Sequence, residues 1–161
     1  MVVRTPTRSD LIASPACFLG LGMGSGLAPK APGTFGTLAS IPLYVLCVLL
    51  GLPVFWFATL VIIVAGIWIC GETAKQLDSH DHPAIVWDEF AGYFVTMLLV
   101  PFSWGNVIAG FALFRIFDIL KPWPIKWVDQ KIHGGTGIML DDLIAGAFAA
   151  SILWAVQPWI I

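Results

Sequence analysis

Val54-Phe-Trp-Phe-Ala-Thr-Leu-Val-Ile-Ile-Val-Ala-Gly-Ile-Trp-Ile-Cys70 is an apolar run without a single charged residue, close to the length at which a helix crosses the hydrocarbon core of a bilayer. It reads as a transmembrane helix, and its neighbours are read on the same terms. Gly51-Leu52-Pro53 forces a turn ahead of it, and the run from Leu38 to Leu50 precedes that turn with Thr34 or Thr37 as a plausible N-cap. Three further apolar runs follow: Phe90 to Val100, Val107 to Leu120, and Leu143 to Ile161. Residues 11–21 form a shorter apolar stretch, interfacial or re-entrant, with Pro15 and the glycines at 20, 22, 24 and 26 interrupting it. The expected fold is all-α, a small polytopic membrane bundle of about four to five apolar helices plus that N-terminal interfacial helix. Residues 1–20 serve as its polar and interfacial lead-in, and 1–161 make a single integral-membrane domain.

Composition agrees, since 58% of the 161 residues are hydrophobic, only 11% are charged, and mean hydropathy is +0.89. A net charge of -2 with eight basic residues leaves no basic stripe for nucleic acid. Cys17, Cys47 and Cys70 are widely spaced in apolar sequence, which reads as small hydrophobes in the core.

The charges are strongly sided. Connections 51–53 and 101–106 and the tail after 143 carry no Lys, Arg, Asp or Glu. With the five runs taken as spans, all eight Lys and Arg fall on the side that also holds the N-terminus, the side assigned to the cytoplasm. Trp56, Trp104, Trp154 and Trp159 then lie toward the far interface, and Trp68, Trp87, Trp123 and Trp127 toward the charged one.

The acids gather at the edges of the apolar runs. His80-Asp81-His82-Pro-Ala-Ile-Val-Trp-Asp88-Glu89 brings three carboxylates and two imidazoles between two of them. Arg115-Ile-Phe-Asp118-Ile-Leu-Lys121 ends another run, and Asp141-Asp142 precedes the last. Arg115 and Asp118, three apart, share a helix face. Five or six acids on one side of a small bundle repel one another unless a cation neutralises them, and an oxygen-rich site suits Mg²⁺ or a similar hard ion. Carboxylates, a divalent ion and nearby basic groups make a phosphate site, with Lys30, in a Gly/Pro loop leading into a helix N-terminus, well placed for an anion. His80 and His82 are open to a ligand or an acid role. Glu72 and Lys75, three apart, read as a local helix pair.

Four blocks carry a family resemblance: Gly24-Ser-Gly-Leu-Ala-Pro with Ala31-Pro-Gly-Thr34; Asp81-His with Ile85-Val-Trp-Asp-Glu89; Phe114-Arg-Ile-Phe-Asp118 with Lys121-Pro-Trp-Pro; and Gly135-Thr-Gly-Ile-Met with Asp141-Asp-Leu-Ile-Ala-Gly146. Together, in this order over about residues 20–150, they resemble the phosphatidylglycerophosphatase A family. The resemblance implies Mg²⁺-dependent hydrolysis of phosphatidylglycerophosphate to phosphatidylglycerol and phosphate, at the cytoplasmic face of the bacterial inner membrane. It places Asp88, Glu89, Asp118, Asp141 and Asp142 on the metal, Lys30, Thr34, Arg115 and Lys121 on the phosphate, and Asp81, Asp88, Arg115 and Lys121 in catalysis, with Asp81 as the acid or base. Water or an aspartate remains open as the nucleophile. Two other classes share clustered acids. A lipid phosphotransferase would need a D-G-x₂-A-R spacing that is absent, and a non-enzymatic cation-binding membrane protein would hold metal without turnover. The phospholipid substrate is the expected partner, and the sequence is silent on oligomeric state.

Overall fold

A computed structural model describes residues 5–79 and 81–159, which are helical and connecting segments without a strand. The order is α1 Arg8–Leu11, α2 Pro15–Gly20, a 3₁₀ segment Gly22–Leu27, α3 Pro32–Leu49, α4 Leu52–Gln76, α5 Trp87–Thr96, α6 Trp104–Leu120, α7 Ile125–Lys131, α8 Gly134–Val156 and a 3₁₀ turn Gln157–Trp159. Three helices are long and apolar enough to cross a membrane: α3, α4, and α8 with its 3₁₀ extension. The uncharged run lies inside α4, whose outward face shows Trp56, Phe57, Leu60, Val64 and Trp68. Such a face, on a helix long enough to span, suits lipid rather than water.

The five apolar runs are not five equal crossings. α5 has ten residues, a rise of about 15 Å against a hydrocarbon core of about 30 Å. It is enclosed by protein instead, with eight of its ten residues buried and α3, α4, α6 and α8 packed around it. Enclosure explains how its first turn can carry Asp88 and Glu89 without exposing them to lipid.

Two helix starts differ from expectation. α3 begins at Pro32, with Ala31 in the N-cap position, so neither Thr34 nor Thr37 caps it. Proline suits a first helical turn because its missing N–H has no partner there anyway, and Thr37 instead donates to Gly33 O at 2.9 Å. α8 begins at Gly134, two turns ahead of Leu143. The Gly-Gly-Thr-Gly sequence looks like a loop, but these glycines serve close packing: Gly135 lies against the α4 backbone at Ile67 and Gly71, and Gly137 against Ile132. Asp141 and Asp142 consequently sit inside a long helix rather than at its edge.

The N-terminal stretch is two short helices, not one. Ser14 breaks it and caps α2, accepting from Cys17 N at 3.1 Å. α2 then folds over the end of α4, where Thr73 donates to Ala16 O at 3.0 Å, and Val86 N donates to Gly20 O at 2.8 Å. Ile12, Phe18 and Met23 are left exposed, as an interfacial segment requires.

Packing below the acids is aromatic. Tyr44 meets Phe55 and Tyr93 edge to face, at centroid separations of 5.3 and 5.8 Å. α5 and α8 cross at a pair of glycines: a Cβ on Gly146 would stand 3.1 Å from the carbonyl carbon of Gly92 and 3.2 Å from its Cα. The bland reading of the cysteines holds, since all three are buried and free. The tryptophan belts lose one member: Trp87 is 8% exposed, stacks on Phe90, and donates its indole N–H to Ile62 O at 3.1 Å.

Candidate functional site

The chain alternates direction so that the N-terminal ends of α3 and α5 and the C-terminal end of α6 meet the second and third turns of α8. A cavity of about 260 Å³ opens there. Its wall holds six carboxylates (Asp81, Asp88, Glu89, Asp118, Asp141 and Asp142) and two cations, Arg115 and Lys121. With every group ionised, the excess is four negative charges. Helix N-termini at Gly33 and Asp88 aim partial positive charge and free N–H groups toward these acids, which reduces but does not cancel that excess.

Each side chain is delivered by a short-range rule. Asp88 and Glu89, adjacent on α5, diverge by about 100°, and Asp88 Oδ1 accepts from Glu89 N at 3.1 Å. Arg115, one turn before Asp118 on α6, pairs with it and reaches Glu89 Oε1 at 3.6 Å. Gly33 makes room for this pair: a Cβ there would meet Glu89 Oε1 and stand 3.0 Å from Arg115 Nη1. Lys121 ends α6 in the left-handed conformation (φ 42°, ψ 58°), uncommon outside glycine. That turn lets its ammonium donate to Asp129 Oδ1 of α7 at 2.7 Å and to Asp141 Oδ2 of α8 at 2.5 Å. Burial works to lower the Lys121 pKa, but the hydrogen bonds and charges of Asp129 and Asp141 outweigh it and hold the ammonium above the usual lysine range.

Asp88, Glu89 and Asp142 each bring a carboxylate oxygen within 4.8 Å of the other two. Asp118 and Asp141, predicted in the same metal set, are engaged with Arg115 and Lys121 instead. Glu89 Oε2, Asp141 Oδ1 and Asp142 Oδ2 are buried without a hydrogen-bond partner. Buried oxygens that accept nothing from the protein are costly, and three of them in an acid-rich wall fit a hard cation, whose preferred ligands are carboxylate oxygens.

Of the remaining predicted residues, Asp81 lies at the exposed rim and lines the cavity. Lys30 is exposed and Thr34 half-buried, and neither is among the cavity-lining residues. His82 is buried and accepts from Ala84 N through Nδ1 at 3.1 Å, bracing the connection into α5; His80 lies outside the described residues. Glu72 and Lys75 form the expected local pair at 3.5 Å. They border a larger cavity, about 580 Å³, between α4 and the start of α8. The acid cluster is absent from that cavity, so size does not mark the chemistry here.

Asp129 and Gly92, not singled out from sequence, also build the site, as do Gly33 and Gly146, which the motif blocks contain without a role. Gly92 and Gly146 carried one legible signal, because each follows an acid by four residues, one helical turn.

The fold and cavity define a polytopic helical membrane protein with an acid-rich, base-flanked site at one end of its bundle. The chain belongs to the phosphatidylglycerophosphatase A family, whose family model matches residues 18–157. It is 45% identical over 144 residues to phosphatidylglycerophosphatase A of Escherichia coli, covering 89% of this chain and 84% of that one. It is 41% identical over 163 residues to phosphatidylglycerophosphatase A of Haemophilus influenzae, covering both chains fully. A Bacteroides thetaiotaomicron protein whose name gives, provisionally, phosphatidylinositol-3-phosphatase is 41% identical over 154 residues, 89% of this chain and 93% of that one. No solved structure matches the chain.

Proposed function

We propose that this protein hydrolyses the terminal phosphomonoester of phosphatidylglycerophosphate to phosphatidylglycerol and inorganic phosphate, using Mg²⁺ at the cytoplasmic face of the bacterial inner membrane. Family membership supports the reaction, and the sidedness of Lys and Arg supports the orientation. The observation that carries the chemistry is the set of three buried, unpartnered carboxylate oxygens in a cavity wall that also holds Arg115 and Lys121. A phosphate dianion would not enter a cavity with excess negative charge unless cations entered too, and the donor set suits magnesium.

In this reading Asp88, Glu89 and Asp142 hold the ion, with Asp141 adjoining. Magnesium, when bound, supplies a Lewis acid that draws charge from phosphoryl oxygens and lowers the pKa of a water. Arg115, fixed by Glu89 and Asp118, and Lys121, fixed by Asp129 and Asp141, hold the phosphate oxygens and offset charge as the transition state forms. Water attacks phosphorus as the bond to the glycerol oxygen breaks. Asp81, exposed at the rim, relays a solvent proton to that departing oxygen, and a wall carboxylate takes the proton of the water.

The test is phosphate release from phosphatidylglycerophosphate in detergent micelles, with Mg²⁺ and with EDTA, for the parent and Asp88→Asn. The expected result is release that requires Mg²⁺ and is lost in a folded Asp88→Asn protein. No release from the parent, or equal release in EDTA, would overturn the reading.

A further inference from the structure

Lys121 is held by two carboxylates that are not equivalent. Asp141 is 5% exposed, lines the cavity, and has a second oxygen, Oδ1, buried without a hydrogen-bond partner. Asp129 is outside the lining and has a side chain 32% exposed. It rides on α7, which is anchored through buried Ile125 and Val128 and packs on α8. One partner therefore belongs to the wall that receives ligand, and the other to a bracket behind it.

A cation held by Asp88, Glu89 and Asp142 would draw on the adjoining Asp141 and repel the neighbouring ammonium, so the Lys121–Asp141 bond would be the one to weaken. A lysine ammonium has three N–H donors. With one retained by Asp129, the donor released by Asp141 joins the third at the cavity mouth for phosphate oxygens. Among the described residues, Asp129 is the partner that holds the ammonium from behind the cavity. Without it, the ammonium would lean wholly on Asp141, 2.5 Å away, competing with the cation. The left-handed backbone at Lys121 is a conformation that surrounding structure must maintain, consistent with a side chain whose direction matters.

Building on the proposed reaction, we propose that Asp129 is a positioning residue that keeps Lys121 poised for the phosphate when a cation would draw on Asp141. It touches neither substrate nor metal, and acts only through Lys121.

The experiment compares the parent, Asp129→Asn, Asp129→Glu, Lys121→Met and the Asp129→Asn/Lys121→Met double variant, full length in detergent. The first readout needs no turnover: the Mg²⁺ concentration giving half of the cation's thermal stabilisation. Asp129→Asn is expected to raise that midpoint about tenfold, the factor carried by one redirected charge-assisted hydrogen bond. Asp129→Glu is expected to recover much of the difference. In the Lys121→Met background Asp129→Asn should change nothing further, since the residue it positions is gone. The second readout is inhibition by inorganic phosphate and KM for phosphatidylglycerophosphate, both expected to weaken about tenfold while kcat changes less than threefold. If Asp129 only tethers α7, Asp129→Asn lowers the cation-free melting temperature and leaves the Mg²⁺ midpoint where it was. That result, or an effect of the same size with Lys121 already absent, overturns the proposal. Because the midpoint is read without substrate, failure here is distinct from a parent protein that releases no phosphate.

Discussion

Gly146→Ala tests how the acid cluster is assembled. Gly92 and Gly146 lie at the crossing of α5 and α8, each four residues after an acid, Asp88 and Asp142. The spacing of the carboxylates is thus set one turn away by the approach of two glycine backbones. A Cβ at 146 would stand 3.1 Å from the Gly92 carbonyl carbon and meet its oxygen more closely still, where ordinary contacts lie at 3.4–4 Å. Because the obstacle is backbone, no rotamer relieves it and the helices must part, by about 1 Å at the crossing. Overpacking of this kind costs about 1–3 kcal/mol, and replacing a helical glycine by alanine recovers up to about 1 kcal/mol, so the fold should survive with a net loss of about 0–2 kcal/mol. The proposed metal site should not. Magnesium holds its oxygens at about 2.0–2.1 Å and tolerates little distortion, so parting Asp142 from Asp88 and Glu89 should raise the cation midpoint at least about tenfold, the lower range for disturbed support of a metal site. The assay is melting temperature against Mg²⁺ concentration, with phosphate release measured in parallel. Gly71→Ala is the control, because its Cβ meets Gly135 at an ordinary 3.4 Å and should leave both readouts at the parent value. A Gly146→Ala protein with the parent's cation midpoint and turnover would refute the claim that this crossing sets the site.

Two further outcomes follow from the same geometry. Arg115→Gln leaves Glu89 and Asp118 without their cation in a site where all three side chains are 11–13% exposed; it should abolish phosphate release and destabilise the cation-free protein by about 3 kcal/mol, with the melting temperature recovering more on Mg²⁺ addition than the parent's does. Trp87→Phe keeps a ring against Phe90 but removes the indole donor to Ile62 O; the expected loss is about 1 kcal/mol by thermal unfolding, with phosphate release unchanged if the α4–α5 bond is structural only.

Much of the architecture is legible from local pattern. An uncharged run such as Val54 to Cys70 has few places to go other than a membrane, and charges confined to alternate connections fix which helix ends lie together before any contact is known. That sidedness alone brings the edges at Asp88, Asp118 and Asp141 to one end, and the motif blocks add the family. Helix starts were less legible. Gly134-Gly-Thr-Gly137 has loop composition, and only the contacts of Gly135 with the α4 backbone and of Gly137 with Ile132 show that these two permit packing rather than break a helix.

Apart from Arg115 and Asp118, three apart on one helix, what pattern could not supply was the pairing inside the cluster. Sequence presents Asp88, Glu89, Asp118, Asp141 and Asp142 as equals, because a carboxylate's role depends on which neighbour reaches it across the bundle. The fold separates them: Arg115 takes Asp118, Lys121 takes Asp141, and Asp88, Glu89 and Asp142 come together. Asp129 shows the same limit, since seven residues, a reversing Pro-Trp-Pro segment among them, lie between it and the Lys121 it holds. Span, sidedness and family are properties of short stretches and their order, and so are written along the chain. The ranking of the acids is a property of distances between helices, which exists only after α5, α6 and α8 have packed.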